Sequence, residues 1–180
     1  LDIFNMYVNI AIMIKREKYL DIFSDKYKEK MRFVAGPRQS GKTTLAKMFL
    51  KSKECENFYY NWDLRAIKER YYNNSFFYHE DLFKLTNKKY PWICFDEIHK
   101  MPKWKNILKE IYDNDGEKNR FIITGSARLD LFKRSGDSLT GRFFLFHLFP
   151  FSLSEISGEK SKEENSYFEN VIALGLASSA

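Results

Sequence analysis

The chain has 180 residues, 44% of them hydrophobic and 17% aromatic, so one domain with a sizeable core is expected. A formal charge of +6, from 30 Lys and Arg interspersed with 24 Asp and Glu, permits an anionic partner but equally describes a solvated mixed-charge surface. Cys55 and Cys94 are the only cysteines and no apolar run reaches the ~20 residues of a bilayer span, which excludes a disulfide scaffold and a membrane protein and suggests a reducing, cytoplasmic setting.

Residues 6–14 are apolar, but no positive segment precedes them and Lys15-Arg16 follows, so a secretory leader is rejected. Residues 1–12 read as an over-extended start, with Met13 the natural beginning. Over 14–30, Ile14, Tyr19, Leu20, Ile22, Phe23 and Tyr27 share a broad face, and the spacing predicts an amphipathic helix. Three parts are expected: an N-terminal extension over 1–30, a core over 31–156, and a charged linker opening a C-terminal region over 157–180.

The core opens with an apolar run at 32–35, a predicted strand, followed by Gly36-Pro37-Arg38-Gln39-Ser40-Gly41-Lys42-Thr43. This is the phosphate-loop pattern G-x-x-x-x-G-K-S/T. Average usage gives about one chance match per hundred chains of this length. The context tightens the case, because residues 44–50, from Thr44, have helical periodicity and supply the strand–loop–helix setting. Gly36 and Gly41 permit a tight path that turns N–H groups toward one anion. Lys42 supplies a cation for the β- and γ-phosphates, and the Thr43 hydroxyl can ligate Mg2+. A helix starting near Lys42 adds the positive end of its dipole.

Further along, 57–62 is aromatic-rich and predicts a strand ending at Asp63; helices are predicted over 64–72 and 79–87. The strand at 91–96 ends in two adjacent carboxylates, Asp96 and Glu97. Pro102 marks the start of a helix whose face carries Trp104, Ile107, Leu108, Ile111 and Tyr112. The strand at 120–125 ends in Thr124-Gly125-Ser126, a short helix is predicted over 127–133 and a polar loop over 135–141, and 142–148 is the last core strand. Strands alternating with helices give an α/β fold with a mainly parallel, five-stranded sheet.

Phosphoryl transfer needs charge neutralisation and an aligned nucleophile more than covalent help. Asp96 is suited to hold Mg2+ through water, and Glu97 to polarise the attacking water as general base. Thr124 or Ser126 would face the γ-phosphate as a polar sensor, with strand-end capping the alternative. Arg142 or Arg128 would serve as an arginine finger or sensor, and Arg38 would touch phosphate or a neighbouring subunit; surface arginine is the alternative for each. His99 is read as lying beside the site rather than as a metal ligand.

The Gly36–Thr43 loop, Phe95-Asp96-Glu97-Ile98-His99, Thr124-Gly125-Ser126, Leu139-Thr140-Gly141-Arg142 and Leu148-Phe149-Pro150-Phe151-Ser152 together resemble the AAA-type ATPases of archaea and bacteria, over residues 14–156. The resemblance implies a three-layer P-loop NTPase fold of the additional-strand, catalytic-glutamate class, with the Asp96 strand beside the Thr124 strand. It implies ATP with Mg2+, and catalytic Lys42, Glu97 and Arg142. It implies nucleotide contacts from Gly36 through Thr44 and from Thr124 and Ser126, and metal contacts from Thr43 and Asp96. Such proteins usually continue into a C-terminal region, often winged-helix or nuclease-like, of which 157–180 would hold only the start. The expected function is Mg-ATP hydrolysis driving a conformational switch. The alternative is a nucleotide-dependent binding or regulatory module with little turnover, self-associating or bound to a protein client. A nucleic-acid role through Tyr59, Tyr60 and Trp62 is the third reading; a metabolic kinase fits the adjacent carboxylates less well, and no N-K-x-D guanine-reading motif is present.

Overall fold

Five short runs pair into one sheet in the computed structural model, which describes Tyr19 and residues 21–85, 89–126 and 139–150. They are β1 (Met31–Ala35), β2 (Tyr59–Asn61), β3 (Trp92–Asp96), β4 (Arg120–Gly125) and β5 (Phe143–His147). Their order is β2-β3-β4-β1-β5, and every neighbouring pair is parallel. All carboxyl ends therefore lie along one edge. β4 is inserted between β1 and β3, so the strand that leads into the phosphate loop is not hydrogen-bonded to the strand that ends in Asp96. The Asp96 strand does lie beside the Thr124 strand, with Asp96 opposite Thr124.

The central strands are buried on both faces, which explains their continuous apolar sequence: Phe33 in β1, Ile93 to Phe95 in β3 and Phe121 to Ile123 in β4 are all fully buried. Alternation divides their side chains between two layers. On one face lie Trp92, Cys94 and Asp96, covered by helix α1 (Lys42–Ser52), which buries Leu45, Ala46, Phe49 and Leu50. Phe49 of α1 packs edge-on against Trp92 at 4.8 Å, and Phe23 stacks on Phe49 at 3.9 Å. On the other face, Phe95 and Phe121 meet Tyr78, the first residue of a short helix, α3 (Tyr78–Leu85). Helix α4 (Trp104–Asp115) buries Ile107, Leu108 and Ile111. Helix α2 (Arg65–Asn73) buries no residue fully and adds only Ile67 and Tyr71 to the core margin.

The continuous helix predicted over 14–30 is not formed in its described part. Two 3-10 turns, Asp21–Phe23 and Asp25–Tyr27, flank an extended Ser24, and Lys28 has a φ of 46°. The cause is Arg32, buried in β1. Its guanidinium draws the carbonyls of Ser24 (3.1 Å), Lys28 (2.7 Å) and Lys30 toward the sheet and away from a helix axis. The predicted apolar residues Tyr19, Ile22, Phe23 and Tyr27 are nevertheless buried. The second strand is shorter than predicted, because residues 56–58 form a 3-10 turn before it. The helix predicted over 127–133 and the segment after Pro150 lie outside the described residues. No helix among the described residues is long and apolar enough to cross a membrane.

Candidate active site

At the carboxyl edge of the sheet, β1 runs into residues 36–41 and then directly into α1. The loop turns through left-handed backbone at Gln39 (φ 64°) and Gly41 (φ 89°), the latter natural for glycine. Gly36 is held to glycine for a different reason. A Cβ there would overlap the carbonyl oxygen of Leu148, whose own N–H donates to the Ala35 carbonyl at 2.7 Å. The chain leaving β5 is thus packed against the loop. Lys42 lies buried beneath it and donates to the carbonyls of Gly36 (3.0 Å) and Pro37 (2.6 Å) and to Ser40 Oγ (3.3 Å). Burial lowers the pKa of its ammonium, against the opposing pull of Glu97 and Asp96. Pro37, Arg38, Gln39, Thr43 and Thr44 are exposed on the loop and first helical turn.

Asp96 is the buried centre of the site, 3% exposed. Thr43 Oγ1, from the first turn of α1, donates to its Oδ2 at 2.9 Å. Thr124, opposite on β4, donates to its Oδ1, and the Tyr59 hydroxyl from β2 donates to Oδ2. Three hydroxyls from three elements therefore converge on one carboxylate, which a buried charge requires. Burial, and then Asp96 itself, push the Tyr59 phenol well above its usual pKa, so it stays a donor.

Glu97 follows with left-handed backbone, φ 62°, anchored by its N–H on the Thr124 carbonyl at 3.0 Å. Its carboxylate meets Lys100 Nζ at 3.0 Å and His99 Nε2 at 3.8 Å. Lys100 is shared with Asp63, just past the end of β2, at 2.7 and 2.5 Å. The hydrogen bond to Asp63 is the largest influence raising the Lys100 pKa, with Glu97 adding to it. Ser126 Oγ lies 3.3 Å from His99 Nε2. Arg38, Gln39, Gly41 to Thr44, Glu97, His99, Lys100, Trp104, Lys105 and Ser126 line one open groove of about 1380 Å³.

Most of the sequence-predicted site thus converges on this edge: the loop from Gly36 to Thr44, then Asp96, Glu97, Thr124 and Ser126. Thr124 is not turned to the groove as a sensor would be; it is fully buried and spends its hydroxyl on Asp96. Arg142 lies apart from this group. It precedes β5, at the amino edge of the sheet, where its carbonyl accepts from Met31 N–H at 2.9 Å. Its Nε donates to Asp113 of α4 at 2.8 Å, and the strand length separates it from the loop of its own chain. Arg128 lies outside the described residues. The aromatic nucleic-acid platform is also not formed: Tyr60 and Trp62 are buried in the core against Phe95, and Tyr59 is tied to Asp96.

From the sequence, Tyr59 was considered only for nucleic-acid stacking, and Asp63 and Lys100 were missed as neighbours of the site. Lys100 stands three residues after Glu97, a spacing that could have signalled an ion pair. Tyr59 offered no signal, since its role depends on the β2–β3 register.

The donor set suits a hard cation. Thr43 Oγ1, on the groove lining, and the Asp96 carboxylate behind it are hard oxygen donors side by side. No group of three or more His, Cys, Asp or Glu that could cage a metal occurs among the described residues. One or two protein oxygens, completed by substrate phosphates, is the arrangement magnesium takes.

No curated protein matches the chain. A family model described as an AAA domain matches residues 28–157, from the turn before β1 past the end of β5. With a parallel α/β sheet, a phosphate loop on its carboxyl edge and that match over most of its length, the chain belongs to the AAA domain family of nucleotide-binding, ATPase-like proteins.

Proposed function

We propose that this chain binds Mg-ATP at the Gly36–Thr43 loop and hydrolyses it, using turnover to drive a conformational switch. The observation that carries the reading is the 2.9 Å bond between Thr43 and Asp96, which joins the phosphate loop to the acid of a strand that β1 does not touch. Lys42 would leave the Gly36 and Pro37 carbonyls for the phosphate oxygens. Loop N–H groups and the amino end of α1 would hold the remaining charge. Bound Mg2+ would neutralise phosphate charge as bond breaking proceeds. Thr124 keeps Asp96 oriented, and Ser126 faces the groove where the terminal phosphate would lie. Glu97 would take a proton from water as its oxygen forms a bond to the γ-phosphorus. The bond to the bridging oxygen breaks, leaving ADP and phosphate.

A second reading, a nucleotide-dependent binding module with little turnover, is favoured by one contact: the Glu97 carboxylate is paired with Lys100. Phosphate release with and without Mg2+ separates the two. Turnover abolished by Lys42→Ala supports hydrolysis, and turnover unchanged by it refutes that mechanism. Tight ATP binding with no phosphate release from the intact chain supports the module.

A further inference from the structure

Of the three hydroxyls on Asp96, Tyr59 is the one that neither the phosphate loop nor the strand-end motifs account for. We propose that Tyr59 is a positioning residue for Asp96, fixing the carboxylate so that Thr43 and Asp96 together hold Mg2+. The inference rests on the Mg-ATP reading above.

The placement follows from register. Tyr59 pairs with Cys94 and Asn61 with Asp96, so Tyr59 lies on the same face as Asp96, one pleat behind it. A phenol is long enough to cover that diagonal, and its hydroxyl reaches Oδ2, the oxygen that also accepts from Thr43 at 2.9 Å. Thr43 must turn an oxygen lone pair toward the cation. Tyr59 has no such second task and holds Oδ2 while Thr43 serves the metal.

The ring is fixed in turn by Lys47, whose Nζ lies 4.5 Å from its centroid. Lys47 is one helical turn beyond Thr43 on α1. The same helix therefore carries the metal-facing hydroxyl and the cation that pins the ring orienting its partner. Partners of this kind set ligand orientation, and their loss typically weakens metal binding on the order of tenfold or more.

The test uses Tyr59→Phe, which keeps the ring and removes the hydroxyl, with Asp96→Asn as control. Binding of a fluorescent ATP analogue is titrated with Mg2+, beside binding in EDTA and thermal midpoints. In Tyr59→Phe the half-saturating Mg2+ concentration is expected to rise on the order of tenfold, with binding in EDTA unchanged. A half-saturation equal to or below the parent's overturns the inference, whatever happens to the thermal midpoint, because a purely structural hydroxyl would move only the latter. If Tyr59→Phe does not fold, Lys47→Met must raise the half-saturation in the same direction, and no rise overturns the inference. A parent protein whose nucleotide binding ignores Mg2+ sinks the magnesium reading and this inference with it, whereas a parent that responds, and loses the response in Asp96→Asn, isolates the outcome to Tyr59.

Discussion

The Thr43 hydroxyl and the Asp96 carboxylate are 53 positions apart in sequence and meet at 2.9 Å, with strand β4 lying between β1 and β3. Helix α1 makes this possible by leaving the β1 edge and crossing over β4 and β3. Asp96 is thus the single acceptor that satisfies three hydroxyls from three elements.

Removing that acceptor takes from the fully buried Thr124 hydroxyl its carboxylate partner. Asp96→Ala is expected to lower unfolding free energy by about 1–3 kcal/mol, read from urea denaturation. Asp96→Asn, which retains an acceptor oxygen, should lose less. Equal stability of Asp96→Ala and the parent would contradict the hydroxyl cluster.

Gly36 couples the loop to the segment after β5. A Cβ there meets backbone, the Leu148 carbonyl, and not the movable end of a side chain. Gly36→Ala is expected to cost about 1–3 kcal/mol through the shift it forces, measured by denaturation. It should also raise amide exchange at Leu148, whose N–H is held by Ala35.

Arg142 belongs to the opposite edge. Its guanidinium, followed by Lys109, holds the Asp113 carboxyl below the usual carboxylate range. A depressed acid contributes stability above its unfolded pKa, and that contribution is lost as pH falls through the folded pKa. Arg142→Met should raise the Asp113 pKa toward its ordinary value in a side-chain NMR titration. Per-chain phosphate release by dilute protein should stay at the parental rate; a fall there would contradict the placement of Arg142 away from its own site.

Both cysteines are buried, and burial pushes the Cys94 thiol well above its usual pKa. Since the thiolate is the reacting species, neither cysteine should react with a thiol-specific reagent in the native protein. Both should react after denaturation. Fast native labelling of Cys94 would contradict a closed α1–β3 interface.

Much of the fold was legible because its signals are local. Phe121 to Ile123 read as strand because a central parallel strand is apolar on both faces, and Gly36 to Thr43 carries its phosphate chemistry in eight consecutive residues. Asp96-Glu97 and Thr124 were recognisable at strand ends. What was hidden depends on contacts between distant segments. Arg32 breaks the predicted 14–30 helix by claiming carbonyls that periodicity would assign to helix bonds. Asp113, 29 positions earlier, claims Arg142. Tyr59 becomes part of the site only through its register with Cys94, which no local pattern encodes.

Hydrolysis with Glu97 as general base is tested by phosphate release from Glu97→Gln, measured alongside its affinity for ATP. ATP affinity should stay close to the parent's while phosphate release falls by about 10²–10⁴-fold. Parental turnover in Glu97→Gln would contradict it.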